Sequence, residues 1–128
     1  IGYQVVTTDA KNGVGIEVGV DKDKYVGEWN FNRKNGVGTV VQTDGIRYSG
    51  EWKNGKWHGV GTLFYPNGER MTGRFANGML QQQVGMYFMQ DGSCIVGMMT
   101  MNGPDGECTH YKRDGSIEKE NWINGLKK

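Results

Sequence analysis

Short runs in which apolar or small residues alternate with polar ones recur along this chain at a fixed interval. Tyr25-Val26-Gly27-Glu28-Trp29 returns as Tyr48-Ser49-Gly50-Glu51-Trp52, then as Met71-Thr72-Gly73-Arg74-Phe75 and Ile95-Val96-Gly97-Met98-Met99. A last version runs from Glu118 to Trp122. Alternation of this kind places Tyr48, Gly50 and Trp52 on one face of a strand and Ser49, Glu51 and Lys53 on the other. Each run is followed by a second β-prone stretch, opened by Gly36-Val37-Gly38-Thr39 or Gly59-Val60-Gly61-Thr62. Asp44-Gly45, Asn67-Gly68, Asp91-Gly92 and Asp114-Gly115 close the units. Between the two runs of a unit lies a turn signal such as Asn54-Gly55, which supplies the positive φ angles of a tight hairpin. No stretch carries a 3.6-residue apolar period long enough for a stable helix, and 22 glycines argue further against one. The pattern predicts an all-β fold, an antiparallel meander of about ten strands spaced by about 4.8 Å.

Trp29 to Trp52 and Trp52 to Phe75 are each 23 residues apart; one extra residue before Gly85 makes Phe75 to Met99 24, and Met99 to Trp122 returns to 23. A constant period of this length denotes an array of one supersecondary unit that buries its apolar face against its neighbours. Gly50 and Gly61 fall between the large residues of adjoining strands, where a missing side chain lets a neighbouring indole lie flat on the backbone. The opposite face carries a second apolar column, Val41, Phe64, Phe88 and Tyr111, which a single sheet cannot cover on its own.

The stretch from Tyr48 to Thr62, Tyr-Ser-Gly-Glu-Trp-Lys-Asn-Gly-Lys-Trp-His-Gly-Val-Gly-Thr, closely resembles a unit of the MORN repeat family (membrane occupation and recognition nexus). The resemblance extends from residue 13 to about residue 125 and divides the chain into a partial repeat 1–24, repeats 25–47, 48–70, 71–94 and 95–117, and a partial, capping repeat 118–128. Gly13-Val14-Gly15 aligns with Gly36-Val37-Gly38, whereas the preceding strand, with Tyr3, Val5 and Val6, is degenerate; the chain therefore reads as a fragment of a longer protein. Three departures stand out: Gln83, with the insertion Gln81-Gln82-Gln83, at the expected first glycine of Gly-x-Gly in the third unit, Cys108 at the second glycine of the fourth, and Glu120 at the glycine of the fifth. The resemblance implies an elongated, curved single-layer sheet with a grooved aromatic face, used for protein contact, self-association or membrane-associated scaffolding, without catalysis or cofactor.

Charge and chemistry narrow this little further. A net charge of +1 gives no broad field for nucleic acid or anionic membrane. The basic residues near aromatics (Arg47, Lys53, Lys56, Lys112, Arg113) are diluted by Glu28, Asp44, Glu51 and Glu69, so nucleic acid is excluded and local contact with phospholipid headgroups stays open. Gly-x-Gly here lies within strands, with no following helix and no Gly-Lys-Ser/Thr, so it is not a phosphate loop. Cys94 and Cys108 read as reduced thiols of a cytoplasmic protein, and Cys108-x-His110 with Asp105 or Glu107 as a poor metal set. His58 reads as a turn residue hydrogen-bonding its hairpin.

The resulting expectation is a non-catalytic scaffold that docks a helix or extended segment, from another protein or from the same polypeptide, on its aromatic face. The candidate contacts are Tyr25, Trp29, Tyr48, Trp52, Tyr65, Phe75, Tyr87 and Met89. Met98, Met99, Met101 and Trp122 are candidate homodimer contacts. Regulation of a fused lipid kinase, methyltransferase or exchange factor is the alternative implied by the resemblance, with cytoskeletal or membrane association as the expected setting.

Overall fold

The computed structural model describes the backbone of Gln4–Val5 and all of residues 12–128. Tyr3 and Val6 lie outside the described residues, as does the Val5 side chain. Among the described residues fourteen strands follow one another: β1 (Gln4–Val5), β2 (Asn12–Val18), β3 (Lys24–Asn30), β4 (Arg33–Val41), β5 (Arg47–Lys53), β6 (Lys56–Phe64) and β7 (Arg70–Ala76); then β8 (Met79–Leu80), β9 (Val84–Phe88), β10 (Cys94–Thr100), β11 (Gly103–Pro104), β12 (Gly106–Tyr111), β13 (Ile117–Ile123) and β14 (Leu126–Lys127). They form one open antiparallel sheet in sequence order, with the two-residue strands β8 and β11 branching off against β7 and β10. Among the described residues there is no helix. The strands outnumber the expected ten because the short strands β1 and β14 extend the two ends and because the second strand of a unit, unbroken for nine residues in β4 and β6, is split later. In the third unit Gln81–Gln83 interrupt it, with the Gln81 amide donating to the Arg74 carbonyl at 2.8 Å. In the fourth, the Asp105 amide donates to the Met98 carbonyl at 2.9 Å.

Register lines the repeats up. Gly15, Gly27, Gly38, Gly50, Gly61 and Gly73 are successive cross-strand partners, and Gly85 pairs with Gly97. Beside this glycine column runs a second inner column of Tyr25, Val40, Tyr48, Leu63, Met71, Tyr87, Ile95 and His110. The sheet buries this face by curling towards it, so far that the Tyr65 hydroxyl donates to the Met101 carbonyl at 2.8 Å, 36 residues on. A register shift between Gly27 and Trp29, and again between Gly50 and Trp52, sharpens the local twist. The carboxylates of Glu28 and Glu51, inside these bulges, accept from the amides of Val37 (2.6 Å) and Val60 (2.9 Å).

The outer face keeps the column of Val41, Phe64, Phe88 and Tyr111, interleaved with Arg47, Arg70 and Cys94. The guanidinium of Arg47 lies 4.5 Å from the Phe64 ring centre and that of Arg70 4.2 Å from Phe88, so the chain itself covers part of this column.

Candidate partner-binding groove

The glycine column exists for the tyrosines. A Cβ on Gly38 would lie 2.3 Å from the Tyr25 phenol, and one on Gly61 2.3 Å from that of Tyr48, so only glycine admits these rings. The hydroxyls fix them in place, donating at 2.8 Å to the carbonyls of Glu28 and Glu51. It is thus the phenol that lies over the glycines, and not the indole expected from sequence. The Trp52 indole instead stands edge-on to Tyr25 (4.9 Å, 81°) and Tyr48 (5.5 Å, 86°), and its Nε1 donates to the Gly38 carbonyl at 2.9 Å. Burial pushes the Tyr48 and Tyr65 hydroxyls up to about 12. Burial first, and acceptance of the hydroxyl proton by Glu69 at 2.7 Å second, raises Tyr87 well above the ordinary tyrosine range.

Trp57, absent from the sequence-derived candidates, stacks flat on Tyr48 at 4.4 Å and 3° and stays half-buried. One repeat earlier the same place holds Lys34, whose Nζ lies 5.2 Å from the Tyr25 ring centre and 5.8 Å from that of Trp52, and pairs with Glu17 at 3.1 Å. Two cavities, of about 170 and 270 Å³, share Gln42, Trp52 and Trp57 and make a continuous groove on the curled face. Its polar wall is Glu17, Asp21, Asp23 and Lys34 on one side, and Lys56 borders the other.

Tyr25, Trp29, Tyr48, Trp52, Phe75 and Tyr87 are all less than a tenth exposed, covering one another as the core of the array. Tyr65 and Met89 are half-buried beside them. Met98 and Met101 are exposed, at 36% and 44%, whereas Met99 and Trp122 belong to the core. The His58 ring makes no hydrogen bond among the described residues, contrary to the expectation of a turn-bracing role. Cys94 lies on the outer face and Cys108 on the inner, both as free thiols, and among the described residues no three His, Cys, Asp or Glu side chains form a metal-holding group.

The MORN repeat model matches residues 25–47 and 48–70, the two units in which the tyrosine, glycine and tryptophan set is complete. Residues 25–70 are two tandem MORN repeats. No curated protein matches the chain. Among solved structures it is similar to the "SAS-4 (dCPAP) TCP domain in complex with a Proline Rich Motif of Ana2 (dSTIL)" of Drosophila melanogaster, at 12% identity over 91% of this chain and 75% of that one, with a TM-score of 0.49.

Beyond the matched MORN repeats the glycine column ends in Cys108 and Glu120, and there the inner face turns polar. The His110 Nδ1 lies 3.0 Å from the Glu120 carboxylate and its Nε2 2.8 Å from Ser93 Oγ. That sequence of groups has the outline of a hydrolytic triad. The chemistry differs, because Ser93 is 1% exposed and its one proton is directed to Asp91 Oδ1 at 2.6 Å. The Ser93 hydroxyl proton is thus committed to Asp91 and not offered to His110, and the oxygen is sealed from any substrate. Lys127 Nζ (3.2 Å) and Trp122 Nε1 (3.2 Å) complete the shell of Glu120, so the cluster fastens β12, β13 and β14 to the turn before β10. Sequence reading recognised Cys108 and His110 as a pair and Glu120 apart from them; Ser93 joins them only through pairing across three strands.

Proposed function

We propose that this is a protein-interaction module whose curled aromatic face receives a helix or an extended segment of a partner, from another protein or from elsewhere in the same polypeptide, without chemistry of its own. The observation that carries the reading is Trp57. On a face whose other indoles are buried, this one remains half-open, held flat by Tyr48, in a groove that continues past Trp52 to Lys34. A rigid aromatic platform beside fixed polar groups is what anchors a side chain of a bound segment. The test replaces Trp57 by serine, and separately Tyr65 and Tyr87 by serine, checks folding by circular dichroism, and compares capture of partner proteins with the wild type. Loss of capture is expected from each. Unaltered capture by the folded variants moves the site to the outer face, with Phe64, Phe88 and Tyr111.

Self-association is a second reading, favoured by the outer face of β9 and β10. There Val84 pairs with Met98 and the two are 67% and 36% exposed, with Met86 beside them at 40%. An exposed apolar group of this kind marks a contact surface. Light scattering is expected to show a closed dimer at high concentration that Met98→Lys returns to monomer.

A further inference from the structure

The hairpin turns at the Asn54 end of the sheet differ in one place. Asn54, Asn77 and Asn124 occupy equivalent positions, each at positive φ, and the glycine after each donates its amide to a carbonyl of the preceding unit: Gly55 to Lys34, Gly78 to Trp57 and Gly125 to Pro104, at 2.9, 3.0 and 2.8 Å. In two of the three turns the asparagine amide is also capped, Asn54 by Asn35 Oδ1 at 3.0 Å and Asn124 by Asp105 Oδ1 at 2.8 Å. In the middle turn the capping place belongs to His58. No bond joins it to the Asn77 amide, which has no partner among the described residues.

His58 and Asn77 instead line a cavity of about 500 Å³ with Arg33, Lys53, Asn54 and Lys56. Three full positive charges face it and no acidic residue lines it. None of the three cations forms an ion pair among the described residues. Lys53 and Lys56 are direct cross-strand partners, an arrangement that costs stability unless an anion lies between them. The pocket thus offers cations, side-chain amides, an open backbone N–H and an imidazole. A carboxylate would use few of these donors, whereas a phosphate monoester brings nearly two charges and three acceptor oxygens. Lys56 borders both this pocket and the Trp52–Trp57 groove, at the hairpin edge of the sheet where the outer face, which carries the pocket, meets the inner one.

We propose that the pocket binds a phosphate monoester carried by the segment that docks along the groove. The identity of the carrier rests on the docking reading above; the pocket itself does not. The experiment titrates the ¹⁵N-labelled chain with inorganic phosphate and with phenyl phosphate, against sodium chloride at matched ionic strength. Both phosphates are expected to shift the Asn77 amide and the His58 ring, and phenyl phosphate also the Trp57 indole. Lys53→Glu combined with Lys56→Glu alters only exposed strand-end residues beside the turn and is expected to weaken binding at least about tenfold, two attractive charges becoming repulsive. Trp57→Ser is expected to keep the response to inorganic phosphate and to lose the added affinity for phenyl phosphate, so that failure of the groove and failure of the pocket read differently. Shifts that chloride reproduces, or that survive the double glutamate variant, overturn the pocket. Co-sedimentation with phosphoinositide-doped phosphatidylcholine vesicles, without response to soluble phosphates, overturns the segment-borne phosphate in favour of a lipid surface.

Discussion

The two matched repeats and the C-terminal end of the same sheet solve one packing problem in opposite ways. In residues 25–70 a large ring lies down and the backbone beneath it is bare: Tyr25 over Gly38, Tyr48 over Gly61. At the C-terminal end Ile95 stands where the tyrosine would be. It does not reach across, and the side chain of Cys108 fills the space; a Cβ on Gly97 would lie 2.6 Å from its Sγ. Once Cys108 occupies the column, the next position is Glu120, and burying that carboxylate requires His110, Trp122 and Lys127 around it. Gly38 and Gly61 are therefore the counterparts of particular tyrosines. In the third unit Met71 replaces the ring yet Gly85 stays, where a Cβ would lie 2.8 Å from the Thr72 carbonyl oxygen; in the fourth a side chain, Cys108, takes the column and a polar core follows.

The largest expected effect comes from removing a ring at the well-packed end. Trp52→Ala loses a buried indole with two edge contacts and a hydrogen bond and should cost about 3–5 kcal/mol in urea unfolding. Trp122→Ala, near the end of the array where only the two-residue β14 follows, should cost clearly less. Equal losses would mean that the two ends do not differ in packing. The glycine rule is tested by a pair of changes in opposite directions. Gly61→Ala drives a methyl into the fixed Tyr48 phenol and should destabilise by about 2–3 kcal/mol. Cys108→Gly restores the repeat glycine, yet should also destabilise, by about 1 kcal/mol, because no ring lies above it to fill the void. A gain in melting temperature for Cys108→Gly would refute the coupling.

The smallest effects are expected from pH, and they separate the two ends. Burial opposes ionisation of Glu120, but hydrogen bonds from His110, Lys127 and Trp122 outweigh it and hold its pKa below the usual carboxylate range. Hydrogen bonds from Ser93 lower Asp91 likewise. A depressed folded pKa contributes stability above the ordinary carboxylate pKa, and that stability is lost as pH falls through the folded value. The raised hydroxyl of Tyr48 works in the other sense. Its contribution is complete below the ordinary tyrosine pKa of 10.0 and is lost as pH rises towards about 12. Hydrogen exchange should therefore show β12 and β13 opening first in acid, and β5 and β6 first in alkali. Simultaneous opening at both extremes would remove the distinction.

Much of this was legible in the chain, because the local chemistry repeats itself. The 23-residue spacing, the shared face of Tyr48, Gly50 and Trp52, and the outer column through Phe64, Phe88 and Tyr111 all follow from counting along strands. The orientation of the rings did not follow, since it depends on the register shift between Gly50 and Trp52 and on the curl of the sheet. Trp57 was missed for the same reason: it lies outside the alternating motif and meets Tyr48 only across that bulge. The Ser93, His110 and Glu120 cluster needs two separate strand registers to assemble, and short motifs carry no information about those.

The backward-pointing glycine amides have a consequence for synthesis. Gly55, Gly78 and Gly125 each donate to a carbonyl that precedes them in the chain, and contacts otherwise join mainly neighbouring strands. A hairpin leaving the ribosome thus finds its acceptors already in place, on a unit made moments before. The array can be completed in the direction of translation, each new turn latching onto the last, with the Tyr65 bond to Met101 added only once the curl has closed.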